Sequence, residues 1–225
     1  MKIFLTGGTG FIGSHFLNLL SRQDHKVTAL RRAESKPCIK IEKEPEWLVK
    51  EMDDLDVSDL EGCDTLVHLA SIGVSPQVAT WKELLYWNVT VLINLLEISL
   101  RELIVKCLAI NDNWWKLLPS DVREHAEQRA ERDSKFQKTM RMSKHSKIDQ
   151  IDFADLERIF IKRDFWKNHF KDIFLDEKIL SAKLQEISIM RNHVDHSKSL
   201  SRDNEERLRI YCKDILEMIQ NYKKS

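Results

Sequence analysis

Two short stretches of this 225-residue chain combine residue types at spacings that could do chemistry. The first is TGGTGFIG, residues 6–13, in which both Gly7-x-x-Gly10-x-x-Gly13 and Gly8-x-Gly10-x-x-Gly13 can be read. An apolar run, Ile3, Phe4 and Leu5, stands directly before it and the apolar segment FIGSHFLNLL follows, so the loop reads as a strand-to-helix turn. Glycines here permit the tight turn and let the backbone approach a pyrophosphate, whose charge the free N–H groups and dipole of the helix start favour. The second stretch is RNHVDH, where Arg191, Asn192, His193, Asp195 and His196 crowd the end of an apolar-faced helix. Taken alone, that cluster reads as a helix C-terminus whose histidines suit the dipole, followed by a loop from Ser197 to Ser201.

The elements that must position these groups differ between the two halves. All six glycines lie within the first 73 residues, and of the four prolines only Pro119 lies beyond Pro76. In the first half KIFLT, KVTAL, EWLVK, DTLVHLA and LIVKCLAI are short apolar runs alternating with helical or loop segments, the pattern of βαβ units and a parallel sheet. Residues 78–99 form the longest helical candidate there, with Leu84, Trp87, Val91, Leu95 and Ile98 on one face. Without glycine to supply positive-φ turns, the second half is expected to be helical. Helices are expected after Ser120, from Asp176 towards Asn192 with Leu180, Leu184 and Ile187 inward, and over 202–222 behind Ser201, with Leu208, Tyr211, Ile215, Met218 or Ile219, and Tyr222 in one stripe. The fold class expected is thus α/β then all-α, with a boundary at about residue 110 separating a dinucleotide-binding half-domain (1–110) from a helical domain (111–225).

The first half resembles the extended short-chain dehydrogenase/reductase family, the NAD(P)-dependent sugar-nucleotide epimerases and dehydratases. The resemblance rests on TGGTGFIG, on DTLVHLAS and on WNVTVLINLLEIS, and covers residues 1 to about 109. It implies that Gly7, Gly10, Phe11 and Ile12, with Gly13 in the same loop, face the pyrophosphate. It also implies that Leu69, Ala70 and Ser71 meet the middle of the cofactor, that Met52 or Asp53 contacts adenine, and that Asn88 supports the fourth strand's loop. Where an NAD-preferring protein would offer an acidic ribose partner, the second strand ends in Arg31 and Arg32, which suit a 2′-phosphate; NADP is favoured over NAD. The family's catalysis uses a Tyr-x-x-x-Lys pair. Here the three tyrosines are Tyr86, Tyr211 and Tyr222, and the residues four places after the first two are Thr90 and Ile215. Sugar-nucleotide oxidoreduction by this chain alone is therefore not expected, and a remnant that only binds a dinucleotide is an alternative reading.

Residues 113–223 resemble the HEPN superfamily, most closely its Swt-like branch, through WWKLLPSDVREHAEQR, IDFADLERIF and RNHVDH. The resemblance implies a helical bundle that forms a homodimer and cleaves or binds RNA without a metal, with Arg191, Asn192 and His196 as catalytic residues. In that chemistry the histidine moves a proton and the arginine steadies charge on the phosphorane. Residues five apart on a regular helix point about 140° from one another, so Arg191 and His196 converge only if the helix ends around Val194 to Asp195 or a second subunit completes the site. A non-catalytic dimerisation role is the alternative. The acid-free run KFQKTMRMSKHSK, 135–147, reads either as a phosphate grip or as a solvated loop.

Charge and cysteine usage set further bounds. Net charge is zero; residues 1–110 carry 12 basic and 15 acidic side chains, and 111–225 carry 24 and 21, a bias that permits a local nucleic-acid patch without demanding one. Four cysteines with no Cys-x-x-Cys spacing give no metal site and no disulfide framework. No apolar stretch is long enough for a membrane span and no signal peptide is expected, so the expected location is cytoplasmic.

Overall fold

The computed structural model describes residues 1–72, 78–140, 146–195 and 200–224. Strands β1 (Lys2–Thr6), β2 (Lys26–Arg31), β3 (Glu46–Val49) and β4 (Thr65–His68) form one parallel sheet in the order β3-β2-β1-β4. Phe4 lies opposite Thr28 on one side and Leu66 on the other. Successive strand residues face opposite ways, so Phe4 and Leu5, both fully buried, feed different cores. Leu5, Ala29 and Ile41 meet Leu17 of helix α1 (Phe11–Leu20), while Phe4 and Leu30 join the larger core on the other face.

That larger core is built on helix α2 (Trp81–Leu85), which passes through a π turn at Tyr86–Thr90 into α3 (Val91–Leu108). Four of the five expected strands form; the fifth, LIVKCLAI, does not. Its residues through Leu108 continue α3. No glycine or proline interrupts 81–108, Arg101 pairs with Glu97 one turn earlier at 2.6 Å, and Leu103, Ile104, Cys107 and Leu108 recur at helical spacing and are all buried. Tertiary burial overrides the β-branched appearance of Ile104 and Val105.

After α3 come α4 (Trp114–Leu117), α5 (Ser120–Met140), α6 (Phe153–Phe160), α7 (Arg163–Phe165), α8 (Lys171–Phe174), α9 (Glu177–Asp195) and α10 (Arg202–Lys224). Among the described residues no strand follows His68. Helices α9 and α10 carry side-chain caps at their starts: Asp176 Oδ1 accepts from the Lys178 and Ile179 N–H groups, and Ser201 Oγ from that of Asn204. In α9 Leu180, Leu184 and Ile187 are buried as expected. In α10 the buried line is Leu208, Cys212, Ile215 and Ile219, with Tyr211 and Met218 flanking it half-buried.

One contiguous apolar cluster runs from Phe4 and Leu30 through α3 to Leu208 and Ile219, so the sheet and the helices share a core. Helix α10 packs along α3 and reaches the sheet: Gln220 Nε2 donates to the Leu66 carbonyl at 3.4 Å, at the outer edge of β4. Between α8 and α9, Leu175 adopts φ 63° and ψ −44°, and the Asp176 N–H donates to the Phe174 carbonyl at 2.7 Å. This is the rare positive-φ form of the γ-turn, a strained conformation for leucine, whose side chain is 78% exposed.

Candidate dinucleotide-binding site

The glycine loop closes on itself before it can meet any ligand. Gly7 has φ 76°, and the Gly10 N–H donates to the Gly7 carbonyl at 3.0 Å. A Cβ on Gly7 would lie 2.4 Å from the Ala70 nitrogen, and one on Gly13 would lie 2.1 Å from the Gly7 oxygen, so the fold itself requires both glycines. Ser14 Oγ, buried, donates to the Gly8 carbonyl at 3.0 Å and pins the loop to α1. Gly10 differs. Its φ of −74° and ψ of 171° suit any residue, and an added Cβ would meet nothing nearer than the Gly7 oxygen at 3.4 Å. The space above Gly10 belongs to a cavity of about 360 Å³.

Gly7, Gly10, Arg31, Arg32, Met52, Leu69, Ala70 and Ser71 line that cavity, so most of the expected cofactor contacts come together in one place. Phe11 and Ile12 begin α1 with side chains 71% and 69% exposed; what they offer a phosphate is backbone N–H, which the first helical turn leaves without acceptors. Of the alternatives Met52 and Asp53, Met52 is in the wall, whereas Asp53 accepts a hydrogen bond from Tyr86 Oη at 2.8 Å. Asn88 lies half-buried within the π turn and outside the cavity wall.

Thr9, Leu30, Ser35, Lys50, Ile72, Glu83 and Trp87 also line the cavity and carried no mark in the sequence. Trp87 belongs to the π turn, where a regular 3.6-residue period no longer says which way a side chain points. Lys50 stands two residues before Met52, the first of the residues expected to reach adenine, a position that offers no motif.

Charge is distributed unevenly around the cavity. Arg31 Nη1 donates to the Ser35 carbonyl at 3.0 Å and its guanidinium stands 5.6 Å from the Trp47 ring, while Arg32 is exposed. Lys50 Nζ pairs with Asp59 at 2.8 Å and Asp56 at 3.4 Å; burial opposes its charge, but the two carboxylates outweigh that and hold it above the ordinary lysine range. His68 Nδ1 lies 2.6 Å from Thr6 Oγ1, and burial pushes the imidazole below its usual range. Tyr86, the tyrosine nearest the cavity wall in sequence, is pushed up by burial and then by Asp53, which keeps it a hydrogen-bond donor and not a proton acceptor.

Of the second expected constellation, Arg191 and Asn192 are described and lie near the end of α9. Helix α9 is helical through Asp195, the end of the range in which it is expected to stop, and His196 lies outside the described residues. Asn192 is exposed. Arg191 is turned inward: Nη2 is 3.3 Å from buried Glu97 of α3, Nη1 donates to Asp152 Oδ1 at 3.2 Å, and the guanidinium stands 5.8 Å from the Phe153 ring. Of the basic run, Lys147 Nζ stands 5.7 Å from the Trp115 ring, and residues 141–145 lie outside the described residues. A larger cavity, about 580 Å³, opens among Val57, Cys63, Glu102, Val105, Trp114 and Ile148; it contains no residue of the glycine loop. Among the described residues no group of His, Cys, Asp or Glu is placed to hold a metal, and no helix is long and apolar enough to cross a membrane.

Comparison with known proteins fits this geometry over the first half of the chain. Residues 3–110 match the NAD dependent epimerase/dehydratase family. A Synechocystis sp. protein named "Putative dihydroflavonol 4-reductase" is 38% identical over 69 residues, 30% of this chain and 20% of its own length. The Homo sapiens "Epimerase family protein SDR39U1" is 32% identical over 83 residues, 37% of this chain and 25% of its own. Among solved structures, "MoeE5 in complex with UDP-glucose and NAD" aligns at 28% identity and a TM-score of 0.39, covering 45% of this chain and 33% of that one. The matched stretch thus spans a fifth to a quarter of those curated relatives, and it makes the N-terminal part an epimerase/dehydratase-like domain.

Proposed function

We propose that this chain holds an NAD(P)-type dinucleotide in the cradle between the ends of β1, β2 and β4 and does not by itself carry out the oxidoreduction associated with the family. The observation that carries the reading is Gly10: nothing in the fold needs a glycine there, and the space its missing side chain leaves opens into the cavity. In this reading the N–H groups of Phe11, Ile12 and Gly13 face the pyrophosphate, Met52 and Leu30 flank the base, and Leu69, Ala70 and Ser71 support the middle of the ligand. Arg31 and Arg32 receive a 2′-phosphate, which favours NADP(H). The dinucleotide, when bound, would supply hydride chemistry; the chain has no Tyr-x-x-x-Lys pair to move the accompanying proton. Calorimetric titration with NADPH and NADH tests this. Binding of NADPH that Gly10→Ala weakens at least tenfold supports the reading, and NADH bound as tightly as NADPH removes the role of the arginines.

The second reading is that residues 111–225 form a HEPN-like homodimerising module that cleaves or binds RNA through Arg191, Asn192 and His196. What supports it is the exposed polar end of α9 at Asn192 and His193. What weighs against Arg191 as a phosphorane-binding group is that Glu97 and Asp152 share its guanidinium. Metal-free cleavage of single-stranded RNA in EDTA, lost on His196→Ala, would establish this reading; cleavage unchanged by that substitution would reject the assignment.

A further inference from the structure

A dinucleotide fold of this kind is made of two mononucleotide-binding halves, with strand order 3-2-1-4-5-6 when both are present. Here the order is β3-β2-β1-β4, and the run that would have supplied a fifth strand is the second half of α3. All three strands of one half are present, and among the described residues the other half has only its first strand. The place beside β4 is filled: Gln220 of α10 donates to the Leu66 carbonyl on that edge, and Leu216 and Ile219 line a small gap with Thr65 and Leu66. A strand from another chain that would extend the sheet beyond β4 therefore meets α10 on that edge.

The cavity reflects the same asymmetry. Its walls come from the glycine loop, the end of β2 with Arg31, Arg32 and Ser35, and the stretch containing Lys50 and Met52, a set of groups suited to a pyrophosphate, a ribose and a base. Beyond Ser71 and Ile72 the remaining lining among the described residues is Glu83 and Trp87 from the α2 region. At about 360 Å³ the cavity is near the lower end of the roughly 300–1,000 Å³ typical of small-molecule sites.

Building on the dinucleotide reading above, we infer that the ligand class is the ADP-ribose half of such a cofactor, with or without a 2′-phosphate, and that the nicotinamide contributes little to recognition. The oxidation state of the nicotinamide is then invisible to the site, and compounds that end at the terminal ribose bind as well as whole dinucleotides. The site reads the adenosine diphosphate moiety and not the redox group.

The test is a calorimetric series on the full chain with NADP⁺, NADPH, 2′-phospho-ADP-ribose, NAD⁺, ADP-ribose and nicotinamide mononucleotide. Each nicotinamide-free compound is expected to bind within tenfold of its parent dinucleotide, NADP⁺ and NADPH within twofold of one another, and nicotinamide mononucleotide not at all. Parent dinucleotides bound more than tenfold tighter than 2′-phospho-ADP-ribose and ADP-ribose would overturn the inference while leaving the dinucleotide reading in place. If no compound in the series binds, the dinucleotide reading itself falls, and the inference with it.

Discussion

Glycine does two different jobs within eight residues of this loop. Gly13 is buried against the Gly7 backbone, so Gly13→Ala forces the loop and α1 apart and is expected to cost about 2–3 kcal/mol, read as a lower denaturation midpoint. Gly10→Ala is expected to change stability by no more than about 0.5 kcal/mol and to remove nucleotide affinity. Comparing the two variants by denaturation and by titration separates a glycine the fold needs from one a ligand needs; a Gly10→Ala protein that binds normally would refute the assignment. The spacing of the glycines was legible in the sequence, but this division of labour was not, since it depends on which backbone atoms face each missing Cβ. The same holds for Arg191, whose partners Glu97 and Asp152 are 94 and 39 positions away in the chain. His68 adds a pH dependence. Its folded pKa lies below the unfolded value of about 6.5, so between the two the unfolded chain binds the extra proton. Stability is then full above about pH 6.5 and declines as pH falls towards the folded pKa. Thermal midpoints measured from pH 7.5 down to 5.5 should fall less steeply in His68→Gln; identical slopes would show that His68 is not responsible.

At the scale of elements, periodicity and caps served well where local rules govern. Asp176 and Ser201 start the helices assigned to them, and the four strands that form were marked by short apolar runs behind turn residues. LIVKCLAI failed because its residues satisfy two patterns at once, and α10, more than ninety positions later, supplies the apolar surface that decides between them. The π turn carried no sequence mark. Leu175 is the counterpart of the missing glycines in the second half: the turn from α8 to α9 needs a positive φ and the chain provides leucine. Leu175→Gly removes that steric conflict together with an exposed apolar side chain. It is expected to stabilise the protein by about 1 kcal/mol, which for a chain of this size raises the thermal midpoint by roughly 2–4 °C. A lower midpoint would mean that the leucine side chain makes contacts that matter more than the strain.

For the whole molecule, the continuous core ties sheet and helices into one unit. Leu100, Leu103 and Ile104 of α3 are fully buried in the cluster that includes Leu208 and Ile219. A fragment of residues 1–110 would expose that face, and it is expected to lack a cooperative thermal transition, whereas the full chain should melt in a single one. A fragment that melts cooperatively near the temperature of the full chain would show that the sheet half has a sufficient core of its own. The contact between Gln220 and Leu66 spans 154 residues, and it concerns timing as much as stability. At ribosomal rates of about 5–20 residues per second, β4 can be made and paired with β1 roughly ten to thirty seconds before the helix that covers its edge exists. During that interval the nascent sheet has an unguarded hydrogen-bonding edge, the kind of surface that recruits strands from other chains. Interruption of synthesis between β4 and α10 would therefore leave a product prone to aggregate, and a chaperone that binds exposed strand edges would find its substrate in that window.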